Sequence, residues 1–217
     1  GNYLDTLRSQ GSLATLIDYL DQIADLKILV VGDTIIDEYQ YVEALGKPSK
    51  ETMVATRFLD REVFAGGVIA AANHIAGFCQ QVDVVTALGS VDSYSDVVRE
   101  SLRPNINFRH IVRKNAPTTR KTRFVDMGYS MRKLFEVYVM DDSLLPSDTE
   151  EQFATMLAEN LNSYDVVIVT DFGHGLISDA TVSLLNREAR FLAVNCQTNS
   201  GNHGYNLITK YPRADYV

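Results

Sequence analysis

The sequence predicts an α/β fold with a mainly parallel, doubly wound sheet and smaller β-rich segments. Three observations lead to this prediction. Short apolar runs rich in β-branched residues are typical of strands buried on both faces, and they recur at 27–33, 82–89, 165–172 and 191–195. Segments with helical spacing of apolar residues separate these runs, as crossover helices do between parallel strands. Two stretches, 38–64 and 106–140, alternate polar and apolar residues and predict partly exposed strands.

The remaining elements follow in chain order. Apolar residues at helical spacing predict helices at 12–25, about 67–78, 95–102, 147–161 and about 179–190. A turn at 46–49 divides the first alternating stretch, because glycine, proline and serine cluster there. We expect the two alternating stretches to interrupt the parallel sheet and to fold together as a small lid.

Composition and charge exclude several functional classes. The chain has 217 residues, of which 46% are hydrophobic and 22% are charged, as in ordinary globular domains. A net charge of −8 argues against a general nucleic-acid binder. No apolar run approaches the roughly 18–20 residues that cross a membrane. Cys79 and Cys196 lie far apart without a CxxC partner, and we expect a reduced, cytoplasmic protein.

Polar residues follow the predicted parallel strands, where open α/β sheets bind their ligands. Asp33 follows the first strand and either caps a turn or accepts hydrogen bonds from sugar hydroxyls. Asp171 and His174 follow the third, where they face a ligand or a metal-bound phosphate, or simply form a glycine-flanked turn. Asn195 and Gln197 begin an amide-rich stretch at 195–202 that suits neutral polar ligands or a plain loop.

Two adjacent glycines, Gly66 and Gly67, precede the helix at about 67–78. A glycine pair at a helix N-terminus suits close approach of a phosphate or a sugar, and it also suits a tight turn. The spacing is neither that of GxGxxG nor that of the Walker loop, which argues against dinucleotide or P-loop binding. The pair therefore leaves a ligand site and a turn as open alternatives.

Basic residues are concentrated in one part of the chain. Residues 101–125 contain seven of them and no acid: Arg103, Arg109, Arg113, Lys114, Arg120, Lys121 and Arg123. Such a run is either the solvated face of a hairpin or a local anion site for a phosphorylated small molecule.

Several stretches together resemble the ribokinase-like (PfkB) carbohydrate kinases, most closely the heptose 7-phosphate kinase branch that is often fused to a nucleotidylyltransferase. The stretches span about residues 27–197 in family order: KILVVGDTIIDEY, FAGGVIAAANHIAGF, APTTRKTRFVD, DVVIVTDFGHGLIS and FLAVN. The resemblance implies that 1–217 is a partial ribokinase-like domain, with lid inserts at about 38–64 and 106–140. It also implies transfer of phosphate from ATP to a sugar hydroxyl, with Mg²⁺.

The resemblance assigns roles to individual positions. It implies that Asp37, Gly66, Gly67 and Asn73 orient the sugar, and that Lys121 or Arg123 holds a phosphate already on it. Asp171, with His174 beside it, corresponds to the acid near the transferred phosphates. The family has asparagine three residues after the glycine pair, where this chain has Ala70. The family's catalytic aspartate lies in a GAGD-type motif that these 217 residues lack. We expect it beyond Val217, in a C-terminal ATP-binding part.

Two functional hypotheses remain at this point. The first is the sugar-binding portion of an ATP-dependent carbohydrate kinase that acts on a sugar or a sugar phosphate. The second is a non-catalytic sugar-phosphate-binding or dimerisation domain of a larger nucleotidylyltransferase-type protein. In both cases we expect a homodimer through the β lid, because exposed strand edges favour pairing, and neither a nucleic-acid nor a membrane partner.

Overall fold

The structure is a computed structural model that describes residues 2–11, 13–46, 54–128, 131–198 and 201–217. Most of the predicted turn at 46–49, and two residues of the amide-rich stretch at 195–202, lie outside the described residues. The described α-helices are α1 (Asn2–Gln10), α2 (Leu13–Ala24), α3 (Val68–Ile75), α4 (Ser95–Ser101), α5 (Ser147–Ala158) and α6 (Asp179–Glu188). The described strands are β1 (Ile28–Gly32), β2 (Thr34–Gly46), β3 (Ala55–Gly67), β4 (Val82–Val91), β5 (Ile106–Pro117), β6 (Thr119–Asp126), β7 (Arg132–Val139), β8 (Val166–Asp171) and β9 (Leu192–Cys196).

Five of the described strands form a sheet in the order β5-β4-β1-β8-β9, and every neighbouring pair is parallel. The sheet confirms the predicted α/β fold class. Its central strand, β1, is buried along its whole length, as the continuous apolar run predicts for a strand covered on both faces.

Two hydrophobic clusters cover the two faces of this sheet. Leu29 and Val31 of β1 point into the first cluster, which includes Phe153 of α5 and residues of α6. Ile28 and Val30 point into the second cluster, which includes residues of α3 and α4. Successive side chains of a strand face opposite sides, so the unbroken run in β1 supplies both clusters at once.

The other four described strands form a second sheet in the order β3-β2-β6-β7. β2 pairs antiparallel with β3 and parallel with β6, and β7 pairs antiparallel with β6. One residue separates β1 from β2, and one residue separates β5 from β6. Each inner strand of the second sheet therefore continues almost directly from a strand of the parallel sheet.

The placement of β5 differs from the predicted lid insert at 106–140. β5 pairs with β4 as the edge of the parallel sheet, and only the part of 106–140 from β6 onward forms the second sheet. An edge strand packs less of its surface, and in β5 buried Ile111 lies beside exposed Val112. Its alternating sequence therefore looks like that of a lid strand, although its partner is a buried parallel strand.

The glycine pair closes β3 and starts α3. Gly67 has φ of 59°, and a Cβ added there would lie 2.3 Å from the carbonyl oxygen of Asp33. That oxygen accepts a hydrogen bond of 3.0 Å from the amide of Val68. The second glycine is thus required by the backbone itself, since the β1–β2 connection runs directly against it.

None of the helices in the described part of the chain is both long and apolar enough to cross a membrane.

Candidate active site in the groove of the second sheet

An open groove of about 580 Å³ lies on one face of the second sheet, next to the start of α3. Asp37, Tyr39 and Tyr41 reach it because alternate residues of β2 share one face of the sheet. The neighbouring strands and the first turn of α3 supply the rest of the lining: Glu62, Phe64, Ala65, Gly66, Ala70 and Arg123. We call this space the sheet groove. It brings together three residues that the sequence predicts for substrate binding, Asp37, Gly66 and Arg123.

An ion pair crosses the sheet groove. Nη1 of Arg123 lies 2.5 Å from Oδ1 of Asp37, and its Nε donates to Oε1 of Glu136 at 2.7 Å. The guanidinium also stands over the ring of Tyr39, with its carbon 5.3 Å from the ring centroid. Burial alone lowers the pKa of Arg123, but the hydrogen bond and the charge of Asp37 raise it above its usual value. The guanidinium therefore stays charged and is held by two carboxylates.

Gly66 makes room for the carboxylate of Asp37. The two residues lie on neighbouring strands, and a Cβ added at Gly66 would stand 2.2 Å from Oδ2 of Asp37. The first glycine of the pair thus serves the groove, whereas the second serves the backbone. The structure shows the turn directly at Gly67, and a ligand site at Gly66 remains a proposal.

Lys121 stands next to Asp37 in the strand register and is buried. Its ammonium lies 5.4 Å from the centroid of the Tyr138 ring. Burial lowers the pKa of Lys121, while the nearby charge of Asp37 opposes that change. The second predicted phosphate-binding residue is therefore a desolvated cation beside the groove.

Asn73 is directed away from the sheet groove. Its side-chain amide donates to the carbonyl of Ser101 and accepts from the amide of Arg103, both at 2.9 Å, which connects α3 to the end of α4. Ala70 occupies the place on α3 that lines the groove. The predicted sugar contact of Asn73 thus has no support from its position, because its hydrogen-bonding groups are already used elsewhere.

A second group of polar residues lies at the carboxyl ends of β8 and β9. The buried carboxylate of Asp171 accepts hydrogen bonds from the amide of Gly173, from Asn206 and from the hydroxyl of Tyr211, at 3.0, 3.0 and 2.7 Å, and it also pairs with Lys210. Burial, followed by the charge of Asp171, raises the pKa of Tyr211 far above its usual value. Asp171 therefore anchors the segment that follows β9.

Asp33 and His174 line a cavity of about 20 Å³ at the junctions between the two sheets. Nδ1 of His174 lies 2.9 Å from Oδ1 of Asp142, and its buried Nε2 has no hydrogen-bond partner among the described residues. Oδ2 of Asp33 accepts from the amide of Phe172 at 2.9 Å, and burial raises the pKa of Asp33. Both residues are buried, and the cavity is only large enough for one water molecule.

The magnesium ion implied by the resemblance does not fit these residues as a direct ligand set. Both carboxylate oxygens of Asp171 already have donors, one of them a lysine ammonium. Within the described ranges, no three His, Cys, Asp or Glu side chains lie close enough together to hold a metal ion. We therefore assign none of the described residues as a direct ligand of a magnesium ion.

The other predicted polar contacts lie apart from the sheet groove. Asn195 is exposed and lines an open cleft beside β9, and Gln197 uses its backbone amide to bind the carbonyl of Asp171 at 2.8 Å.

Sequence reasoning missed Glu136 as the second partner of Arg123, and it missed Asn206, Lys210 and Tyr211 around Asp171. Tyr39 and Glu136 could have been found from strand alternation, since both share a face with Asp37 or Arg123. The Asp171 partners follow it by 35 to 40 residues, with no local pattern.

Comparisons with known proteins found relatives of this chain by sequence. No family model matches the sequence. The chain is 24% identical over 179 residues to a bifunctional protein HldE from Hyphomonas neptunium, which covers 81% of this chain and 36% of that protein. It is 22% identical over 158 residues to a D-beta-D-heptose 7-phosphate kinase from Bordetella bronchiseptica, which covers 72% of this chain and 49% of that kinase.

Solved structures show the same fold. Phosphofructokinase-2 from Escherichia coli, in complex with fructose-6-phosphate, matches with a TM-score of 0.59 at 13% sequence identity, over 78% of this chain and 54% of that one. The chain thus spans about half, or less, of the length of the proteins that it matches. It has the fold of the N-terminal portion of the ribokinase-like carbohydrate kinases, and its curated relatives include heptose 7-phosphate kinases.

Proposed function

We propose that this chain is the substrate-binding part of an ATP-dependent carbohydrate kinase that phosphorylates a hydroxyl of a sugar phosphate. One observation carries the proposal: an acceptor for hydroxyls, Asp37, and a donor for phosphate, Arg123, meet in one groove beside a glycine that leaves room for the Asp37 carboxylate. The relative named a D-beta-D-heptose 7-phosphate kinase makes a heptose 7-phosphate the first substrate to test.

The groove residues have distinct roles in this proposal. Asp37 accepts hydrogen bonds from sugar hydroxyls, since an ionised carboxylate is an acceptor only. Arg123 and Lys121 bind the phosphate, for which a guanidinium provides paired donors and a buried ammonium provides charge. Together they fix the sugar, and phosphoryl transfer depends mainly on such positioning and on charge stabilisation.

ATP and Mg²⁺ complete the proposed reaction, and we assign neither to residues of this chain. Cys79 and Cys196 are free, which is in keeping with a cytoplasmic enzyme. The match to the Bordetella bronchiseptica kinase favours the kinase over a non-catalytic sugar-phosphate-binding domain.

We also propose that two copies of the chain pair through the second sheet. The sheet face opposite the groove carries three exposed apolar side chains, Phe58, Phe135 and Val137. An apolar sheet face of this kind is typical of a contact between subunits.

The experiment is a phosphoryl-transfer assay of the full-length protein with ATP, Mg²⁺ and D-β-D-heptose 7-phosphate. We expect turnover, and we expect Asp37→Asn to lower kcat/KM by at least about tenfold, because the amide loses the charge that the hydroxyls bind. Asp96→Asn, at an exposed position of α4, is the matched control and should leave turnover unchanged. A folded full-length protein that phosphorylates no sugar phosphate contradicts the proposal.

A further inference from the structure

The two groups that the proposed function gives to different parts of the substrate are bound to each other. Oδ1 of Asp37 accepts from Nη1 of Arg123, so the hydroxyl acceptor and the phosphate donor are paired inside the sheet groove. The two side chains are only 26% and 17% exposed. A ligand that is to use either group must first separate them.

A neutral sugar is a poor competitor for this pair. It offers hydroxyl groups in exchange for a carboxylate, and a guanidinium binds a neutral hydroxyl oxygen more weakly than it binds an anionic carboxylate. Separating the pair without a new anion also leaves the partly buried Arg123 with one carboxylate partner, Glu136, in place of two. A phosphate group differs, because it brings acceptor oxygens and negative charge that replace Asp37 as the partner of Arg123.

The contacts of Arg123 allow its guanidinium to exchange Asp37 for a phosphate while the side chain stays in the groove. Nε of Arg123 is held by Glu136 at 2.7 Å, and Glu136 in turn accepts from the hydroxyl of Tyr138 at 2.6 Å. The guanidinium can release Asp37 and keep this second anchor. Lys121, beside Asp37 in the register, compensates the charge of the freed carboxylate.

We propose that the Asp37–Arg123 pair is a latch that only a phosphorylated ligand opens. The phosphate draws Arg123 away from Asp37, and the freed Asp37 then binds the sugar hydroxyls. This inference rests on the proposed function and explains how one groove selects a sugar phosphate over the same sugar without phosphate.

The latch makes a prediction that a simple phosphate-binding arginine does not make. In Arg123→Gln the carboxylate of Asp37 is free, so the full-length protein should bind unphosphorylated heptose at least about tenfold more tightly than wild type. Binding of heptose 7-phosphate should weaken by at least the same factor in that variant. Both affinities are measured by calorimetry, without ATP, at constant ionic strength.

The matched control is Arg57→Gln, since Arg57 is paired with Glu43 on the same sheet but is largely exposed and outside the groove lining. Its affinities for both sugars should equal those of wild type. Circular dichroism and thermal unfolding establish that Arg123→Gln is folded. Arg123→Lys retains a cation and should keep discrimination against free heptose, although with weaker binding of the phosphate.

A measurement on the wild-type protein tests the latch without any substitution. Inorganic phosphate, added as a separate molecule, should open the pair and tighten the binding of free heptose by at least about tenfold. If phosphate leaves heptose binding unchanged or competes with it, the latch is overturned.

The outcomes separate the latch from the proposed function. If wild type binds heptose 7-phosphate but free heptose binds no better to Arg123→Gln, the latch is wrong and the proposed function stands. If the folded wild type binds neither sugar, both are overturned. Tighter binding of free heptose in Arg123→Gln, together with the effect of phosphate on wild type, supports the latch.

Discussion

Two neighbouring glycines have different physical tasks. Gly66 leaves space for the carboxylate of Asp37, whereas Gly67 adopts a positive φ and lies against the carbonyl of Asp33. The first task concerns the position of the Asp37 side chain, and the second concerns the backbone. Substitutions should therefore separate the two effects at adjacent positions.

We expect Gly66→Ala to weaken heptose 7-phosphate binding by at least about tenfold with little loss of stability, because the new methyl displaces Asp37. Gly67→Ala should instead lower the free energy of unfolding by about 2 kcal/mol or more, because its backbone conformation disfavours a Cβ. Calorimetry and urea unfolding measure the two quantities. Equal losses of stability in both variants would contradict this division.

The sheet groove shows what residue patterns predict and what they miss. The family resemblance assigns Asp37, Gly66 and Arg123 to the binding of a sugar and its phosphate, and all three line the groove. The pairing of Asp37 with Arg123, 86 residues apart, has no local signal in the sequence. It follows only from the register of β2 and β6, which depends on the whole sheet.

At the scale of elements, buried charge attaches the second sheet to the rest of the molecule. Glu38 of β2 is only 2% exposed, and its Oε2 lies 3.5 Å from Nη1 of Arg120 on β6. Arg120 also donates to the hydroxyl of Tyr94, which precedes α4, at 2.5 Å. These contacts thus connect the second sheet to the start of α4.

Arg120→Ala should lower the free energy of unfolding by about 2 kcal/mol, since it leaves buried Glu38 with only the more distant Arg61, at 3.9 Å, and the side-chain amide of Gln40 as partners. The same change in a Glu38→Gln background should cost much less, and a double-mutant cycle in urea measures the difference. Arg57→Ala, which breaks an exposed pair, is the comparison and should cost about 1 kcal/mol or less. Additive effects of the Glu38 and Arg120 changes would show that the two charges are not coupled.

Elements were predicted best where burial is uniform. β1, β4, β8 and β9 appear close to their predicted ranges because β-branched runs buried on both faces have few alternatives. β5 was assigned to the lid, because an edge strand and a lid strand both alternate in sequence. Which sheet a strand joins is decided by its partner strand. The residues of β5 give no indication that its partner is β4.

At the scale of the whole molecule, the two sheets have different surroundings. The parallel sheet is covered on both faces, whereas the second sheet has the groove on one face and, on the other, buried residues near α4 together with exposed apolar side chains on β3 and β7. A second copy of the chain would bury that outer face while the groove stays accessible. This arrangement leads to the prediction about oligomeric state.

We expect the full-length protein to sediment as a dimer and Phe135→Lys to sediment as a monomer, because a charge at the centre of an apolar contact is costly to bury. Phe78→Lys, at an exposed aromatic position outside the second sheet, is the control and should remain dimeric. Analytical ultracentrifugation at several concentrations measures both. A monomeric wild type, or a dimeric Phe135→Lys, would contradict the proposed contact.

The junction between β1 and β2 is so short that residues inserted there would change which side chains of β2 face the groove. The effect depends on whether the number of inserted residues is odd or even. Because side chains alternate along a strand, one residue inserted beside Asp33 would turn Asp37 to the outer face and bring a neighbouring residue into the groove. Two inserted residues would restore the alternation. Insertions at this junction are therefore constrained by whether their number of residues is odd or even.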